Sequence, residues 1–299
     1  MPRWLLWTLL SLLSWGVWAI LSKVVGGELS VIHLQAISTL GLVPIVAALW
    51  FAKDSAGGGD RRKGILLALA AGVFSSLGNI AFYQAMTSGK AATIVPLTAL
   101  SPVVTILLAI PLLKERINWI QSAGICMSLV AILLFNMQPE SREPSGPLSN
   151  WLPMALAAVG LWGLTGLLQK LSTNHIPAQS SAIWFLSAFF PIAGGILLYD
   201  PVSTDISTRT WLFATVMGFT LALGNLTILL AFSSGGKASI ITPLANLYPI
   251  VSIPIAIAVL HERIGAREAV AIALALVAVV MLSYQSTSTN PPPATANRG

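Results

Sequence analysis

KAATIVPLTALSPVVTILLAIPLLKERI at residues 90–117 and KASIITPLANLYPIVSIPIAIAVLHERI at residues 237–264 are two versions of one segment. At a shift of 147, the distance from Lys90 to Lys237, Lys90-Ala91 falls on Lys237-Ala238 and Pro96-Leu97 on Pro243-Leu244. Pro102 falls on Pro249, and Glu115-Arg116-Ile117 on Glu262-Arg263-Ile264. Apolar coincidences are cheap in a hydrophobic chain, but a Lys, two prolines and a Glu-Arg pair at one offset are not. Outward from this segment the match continues. Trp15-Gly16 falls on Trp162-Gly163 and Lys23 on Lys170, while Gly78-Asn79 meets Gly224-Asn225 one residue out of step. An extra glycine at Gly235-Gly236 absorbs that step.

The repeat is written in membrane-length units. Of the 299 residues, 56% are hydrophobic and only 9% charged, against roughly 25% charged in a soluble domain. Ten apolar spans are expected, near 4–22, 30–52, 64–87, 91–112, 117–137, 150–171, 177–199, 210–233, 238–260 and 265–284. About 20 residues cross a bilayer core. Residues 1–137 and 150–285 are thus read as two five-span repeats, 138–149 as a Pro- and Ser-rich linker, and 286–299 as a disordered tail. The first span follows Arg3 but lacks a small-residue cleavage site, so it is read as a retained helix rather than a leader.

Five is odd, so the second repeat must start on the opposite side from the first. The expected fold is all-α and integral to the membrane: ten transmembrane helices as two inverted five-helix repeats, the construction that lets two halves exchange conformations. Lys and Arg counts orient it. With the chain start inside, cytoplasmic segments hold ten of the 16, among them Arg61, Arg62 and Lys63, which favours both termini in the cytoplasm. The net charge of +6 is read as basic loops and attraction to anionic lipid, not as nucleic-acid binding.

A polar side chain at membrane depth is costly unless it faces protein or water, so polar faces locate a cavity. Ser11, Trp15, Trp18 and Ser22 share one face of span 1; Trp162, Thr165 and Gln169 share the matching face of span 6. Ser76, Asn79 and Tyr83 align in span 3, Asn225 sits correspondingly in span 8, and Thr98, Ser101 and Thr105 align in span 4. In span 9, Thr242 aligns with Asn246, and Tyr248 with Ser252. Any one of these would serve for interhelical hydrogen bonding; together they nominate Trp15, Trp18, Asn79, Tyr83, Thr98, Ser101, Trp162, Thr165, Asn225, Asn246 and Tyr248 as substrate-contacting. Trp184 is also placed deep, whereas Trp4, Trp7, Trp50, Trp119, Trp151 and Trp211 suit an interfacial belt. Pro96, Pro102, Pro243 and Pro249 are expected kinks, since proline removes a backbone donor and paired breaks mark transport sites. Glu115 and Glu262 are expected to pair at the interface and cap the turn into the next helix. His33, His175 and His261 lack ligand spacing, Cys126 is alone, and no metal or cofactor is expected. Gly-x-Ser-x-Gly and His-Glu-x-x-His are absent, which argues against an enzyme.

At Trp-Gly of spans 1 and 6, Pro-Leu of spans 4 and 9, and the Glu-Arg-Ile after each, the chain resembles the drug/metabolite transporter superfamily in its ten-helix exporter (EamA-type) branch. The likeness covers about residues 4–285. Family members commonly carry a glycine in the next helix; Gly124 fits and Ala271 departs. The resemblance implies a 5+5 fold with a central cavity, export from the cytoplasm and residence in a bacterial inner membrane. Within the branch the chain looks most like bacterial aromatic and broad amino-acid exporters. The expected partners are a small zwitterionic substrate and the lipid bilayer, with the protein working as a monomer.

Overall fold

The computed structural model describes residues 2–51, 59–113, 118–136, 151–202, 206–234, 244–282 and 284. Among them there is helix and no strand. The first repeat holds α1 (Arg3–Val25), α2 (Val31–Ser38), α3 (Val43–Phe51), α4 (Arg61–Ser88), α5 (Ala91–Thr98), α6 (Pro102–Leu113) and α7 (Trp119–Asn136). The second holds α8 (Trp151–Thr173), α9 (Ala178–Ser187), α10 (Phe189–Tyr199), α11 (Thr208–Ser233), α12 (Pro249–Val259) and α13 (Ala266–Leu282). Counting a broken span as one, seven described stretches are long and apolar enough to cross a membrane. Residues 119–135 and 244–259 form shorter apolar helices.

Helix starts follow from short polar side chains. Asp60 accepts from Arg62 N and Lys63 N at 3.0 and 3.2 Å. Asn118 and Gln121 bond reciprocally to each other's backbone N–H, a capping box at the start of α7. Helix breaks follow from proline, whose ring excludes the carbonyl four residues back. Thr98 is four before Pro102, and α5 ends there; a turn at Leu247-Tyr248 precedes Pro249, the first residue of α12. Pro96 lies inside α5 without interrupting it, and Pro243 lies outside the described residues. Spans 2 and 7 are broken too, which the sequence reading did not anticipate. A 3-10 turn at Thr39–Leu42 divides α2 from α3, and Ala188 divides α9 from α10. The cue was present: Pro44 and Pro191 stand just past these breaks and match at the shift of 147.

Packing obeys a two-fold exchange of the repeats. α1 packs along α11 and α4 along α8, which are images of each other, while α7 of span 5 packs on α13 of span 10. Close approaches repeat in the same way. Gly78 leaves room for the Trp162 indole, and its image Gly224 leaves room for Trp15. Gly16 faces Val251, and Gly163 faces Val104. Gly72 abuts the Phe185 carbonyl, and Gly218 the Ser38 carbonyl. A side chain at either of the last two would enter backbone, so these glycines set how closely spans 2 and 8, and 7 and 3, approach. The inverted 5+5 arrangement is therefore carried by contacts as well as by sequence.

Candidate functional site

The breaks in spans 4 and 9 and the faces of α1, α4, α8 and α11 enclose a cavity of about 750 Å³. At mid-bundle its wall is Trp15, Trp18, Asn79, Ser101, Pro102, Thr105, Trp162, Thr165, Asn225, Asn246 and Tyr248. Among the described residues it extends toward one end, past Gln169, Lys170 and Thr173 of α8, Ala178 and Ser181 of α9, Gln121 of α7 and Leu282 of α13. That end is where α1 begins and α13 finishes. Lys170 is the charged side chain among the described lining residues, and it is exposed at the mouth.

Aromatic rings form the inner wall. Trp18 stacks on Phe82 at 5.0 Å and tilts against Trp162 at 5.8 Å; Trp15 meets Tyr248 edge-on at 6.4 Å. Trp162 Nε1 donates to Asn79 Oδ1 at 3.2 Å. An indole N–H is only a donor, so this bond orients the amide and leaves Asn79 Nδ2 as a donor. Nδ2 is buried and has no partner. The image pair behaves differently. Asn225 turns its Nδ2 to Leu221 O of its own helix at 2.9 Å. The two halves thus present unlike polar groups to one cavity.

Of the eleven residues nominated from sequence, nine lie on this wall. Tyr83 and Thr98 do not. Tyr83 stands behind Trp18, whose Nε1 donates to its hydroxyl at 3.2 Å. Thr98 bonds back to Ile94 O and Val95 O at 2.9 and 3.1 Å, the habit of a helical Thr with no better acceptor. Two further expectations, for Trp184 and Glu262, are corrected as well. Trp184 pairs with Trp50 at 6.5 Å, away from the cavity. Trp151 lies at the start of α8, buried against Gly89. Glu262 caps not the next helix but α5 of the other repeat, accepting from Ala91 N and Ala92 N at 2.8 Å each; Glu115 lies outside the described residues. Sequence reading missed Phe185, Phe189 and Ser181 of span 7 and Gln121 of span 5. Span 7 is apolar over most of its length, with Gln179, Ser180 and Ser181 confined to its start, so no polar face marked its cavity side.

The opposite end is shut by a polar cluster. Lys23 Nζ donates to Met86 O and, at 2.7 Å, to Gly89 O. Lys90 Nζ meets both carboxylate oxygens of Glu268 at 2.9 and 3.1 Å and donates to Arg263 O at 2.9 Å. Glu268 also accepts from Gly265 N at 2.8 Å at the start of α13. Every residue of α5 is buried beneath this cluster. Among the described residues no group of three or more His, Cys, Asp or Glu could hold a metal ion.

Comparison with known proteins agrees with this geometry. A family model described as the EamA-like transporter family matches residues 2–137 and 149–284. A stretch of 76 residues, 25% of this chain, is 32% identical to an uncharacterized protein of Methanocaldococcus jannaschii. The chain spans about half the length of that curated relative, 56%. A solved crystal structure superposes with a TM-score of 0.62 over 92% of this chain and 94% of its own, at 16% identity, a likeness of fold.

Proposed function

Since both halves match its family model, the chain belongs to the EamA-like transporter family, and we propose that it exports small zwitterionic metabolites, foremost amino acids, by alternating access. The observation that carries this reading is the chemistry of the wall. Indoles, amides and hydroxyls surround about 750 Å³ with no fixed charge at mid-bundle among the described residues. A phosphorylated substrate calls for Lys or Arg at depth, and an organic cation for a carboxylate. A zwitterion needs neither: its carboxylate takes amide and indole N–H groups, and its ammonium takes hydroxyls and aromatic faces. The opening lies at the end where α1 begins, the cytoplasmic end on the positive-inside count, which suits capture for export. We place the protein in a bacterial inner membrane with both termini inside, working as a monomer.

A substrate panel on purified protein in liposomes tests this. Counterflow of neutral amino acids is expected, with weak proton coupling because no carboxylate lines the cavity among the described residues. Exchange of sugar phosphates alone, or a stoichiometric proton current, overturns it. The aromatic patch of Trp18, Trp162, Phe185 and Phe189 favours a second reading, an exporter of apolar drugs; transport of such compounds without amino acids would select it.

A further inference from the structure

The exchange symmetry relates every contact at one end of the bundle to a counterpart at the other, so a departure in sequence between counterparts is a difference in energy between the two end-closed states. Shifting by 147 turns Lys90 into Lys237, Glu262 into Glu115 and Arg263 into Arg116; each charge is kept. Within the cluster of Lys23, Lys90, Glu262, Arg263 and Glu268, Glu268 is the member that loses its charge, becoming Gln121; Arg267 beside it becomes Ile120. Glu268 is tied to Lys90 by two contacts near 3 Å and is 8% exposed. Gln121 lines the cavity mouth and bonds to Asn118 and Leu282 O. The carboxylate that closes one end is thus missing from the same place at the other.

We propose that the Lys90–Glu268 pair is a one-sided latch: it biases the resting protein toward the state closed at the Lys23 end, over a second vestibule that is collapsed in this structure. The same symmetry says what lines that vestibule. Cavity residues Gln169, Ala182 and Phe185 map onto Ser22, Gln35 and Ser38, all buried here. Gln35 stands out among them. It is 1% exposed, and its Oε1 is buried without a hydrogen-bond partner, a costly arrangement for a residue serving this state alone. When the Lys23 end opens, Gln35 takes the place that Ala182 has now and its amide reaches an aqueous path. The vestibule so formed carries an amide, two hydroxyls, Lys23 and the freed Glu268, and is more polar than the present mouth. Substrate leaving by it exchanges indole contacts for hydrogen bonds and water, which favours release of a polar solute.

The test needs no substrate, so its failure is separate from failure of the amino-acid reading. In a Cys126→Ser background, because Cys126 is itself exposed, single reporters Gln35→Cys and Ala182→Cys are placed in protein held in lipid nanodiscs. Their modification by a membrane-impermeant thiosulfonate is timed. Without further change, Ala182→Cys is expected to react fast and Gln35→Cys slowly. The ion pair is half-exposed at Lys90 and buried at Glu268, so Glu268→Gln should raise the Gln35→Cys rate on the order of five- to twentyfold, between the values of exposed and buried pairs. It should slow Ala182→Cys in parallel. Gln121→Glu, which leaves the existing pair intact and puts a carboxylate at the symmetry-related position of the other end, should move both rates in the same directions. Damage to folding would raise both rates together and would count against the latch. Unchanged rates in Gln121→Glu and Glu268→Gln would overturn it.

Discussion

The two ends of this bundle are built from the same repeat yet do different things. At the Lys23 end, Glu262 caps α5 and Lys90 grips Glu268 over a fully buried α5. At the Lys170 end, residues of α8, α9 and α13 line the cavity, with Gln121 where the other end has Glu268. An inverted repeat makes the backbone options at the two ends alike. Which option is occupied then rests on a few side chains, because small energy differences decide between two packings of one frame.

The largest effect is expected where both ends depend on one frame. A Cβ at Gly218 would enter the Ser38 backbone, so Gly218→Ala should cost about 3 kcal/mol or more by overpacking. Thermal unfolding in detergent should show it, together with loss of folded protein in the membrane. An unaltered melting temperature would mean that spans 2 and 8 are not held at this distance. Next comes the cap specific to the closed end. Glu262→Ala leaves the N–H groups of Ala91 and Ala92 without their acceptor and should cost about 1–2 kcal/mol; Glu262→Gln, keeping one acceptor oxygen, should cost less. Equal losses for the two variants would show that the carboxylate's charge, not its capping, matters.

Within the cavity the two halves offer a finer contrast. Asn79→Ala removes the acceptor of the Trp162 indole, which should cost about 1–3 kcal/mol of local order and most of the transport. Asn225→Ala breaks only a bond within α11 and should reduce transport less. Equal initial rates for the two variants in liposomes would erase the asymmetry argued for the site. The smallest effect is expected from Leu274→Ala in α13, a residue off the cavity wall: transport unchanged, stability slightly lower. If that variant loses transport while Asn79→Ala keeps it, the cavity is not the path.

Much of this was legible along the chain. Repeated Trp-Gly, Lys, Pro and Glu-Arg at one offset required two like halves, and the odd number of spans required them to be inverted. The polar faces of spans 1, 3, 4, 6, 8 and 9 pointed at one cavity because a hydroxyl or amide in hydrocarbon is too costly to face lipid. Tyr83 and Thr98 share those faces but fail to reach the cavity. Periodicity gives a direction around a helix, not a depth behind a larger neighbour such as Trp18. Gln121 and Phe185 were missed for the converse reason: the polar residues of their helices gather mainly near one end (Gln121 and Ser122; Gln179, Ser180 and Ser181) and do not continue as a face toward the middle of the span.

By itself the sequence determined the membrane-spanning class, the two inverted repeats and the proline breaks of spans 4 and 9. These rest on hydropathy, counting and the missing proline N–H, all of which are local. Only the tertiary structure decided that Glu262 caps a helix in the other repeat, that Lys90 pairs with Glu268 across 178 residues of chain, and that the cavity opens at one end. Those are contacts between segments far apart in sequence. Two ends with nearly the same residues can each be open or shut, so only their packing tells which is which.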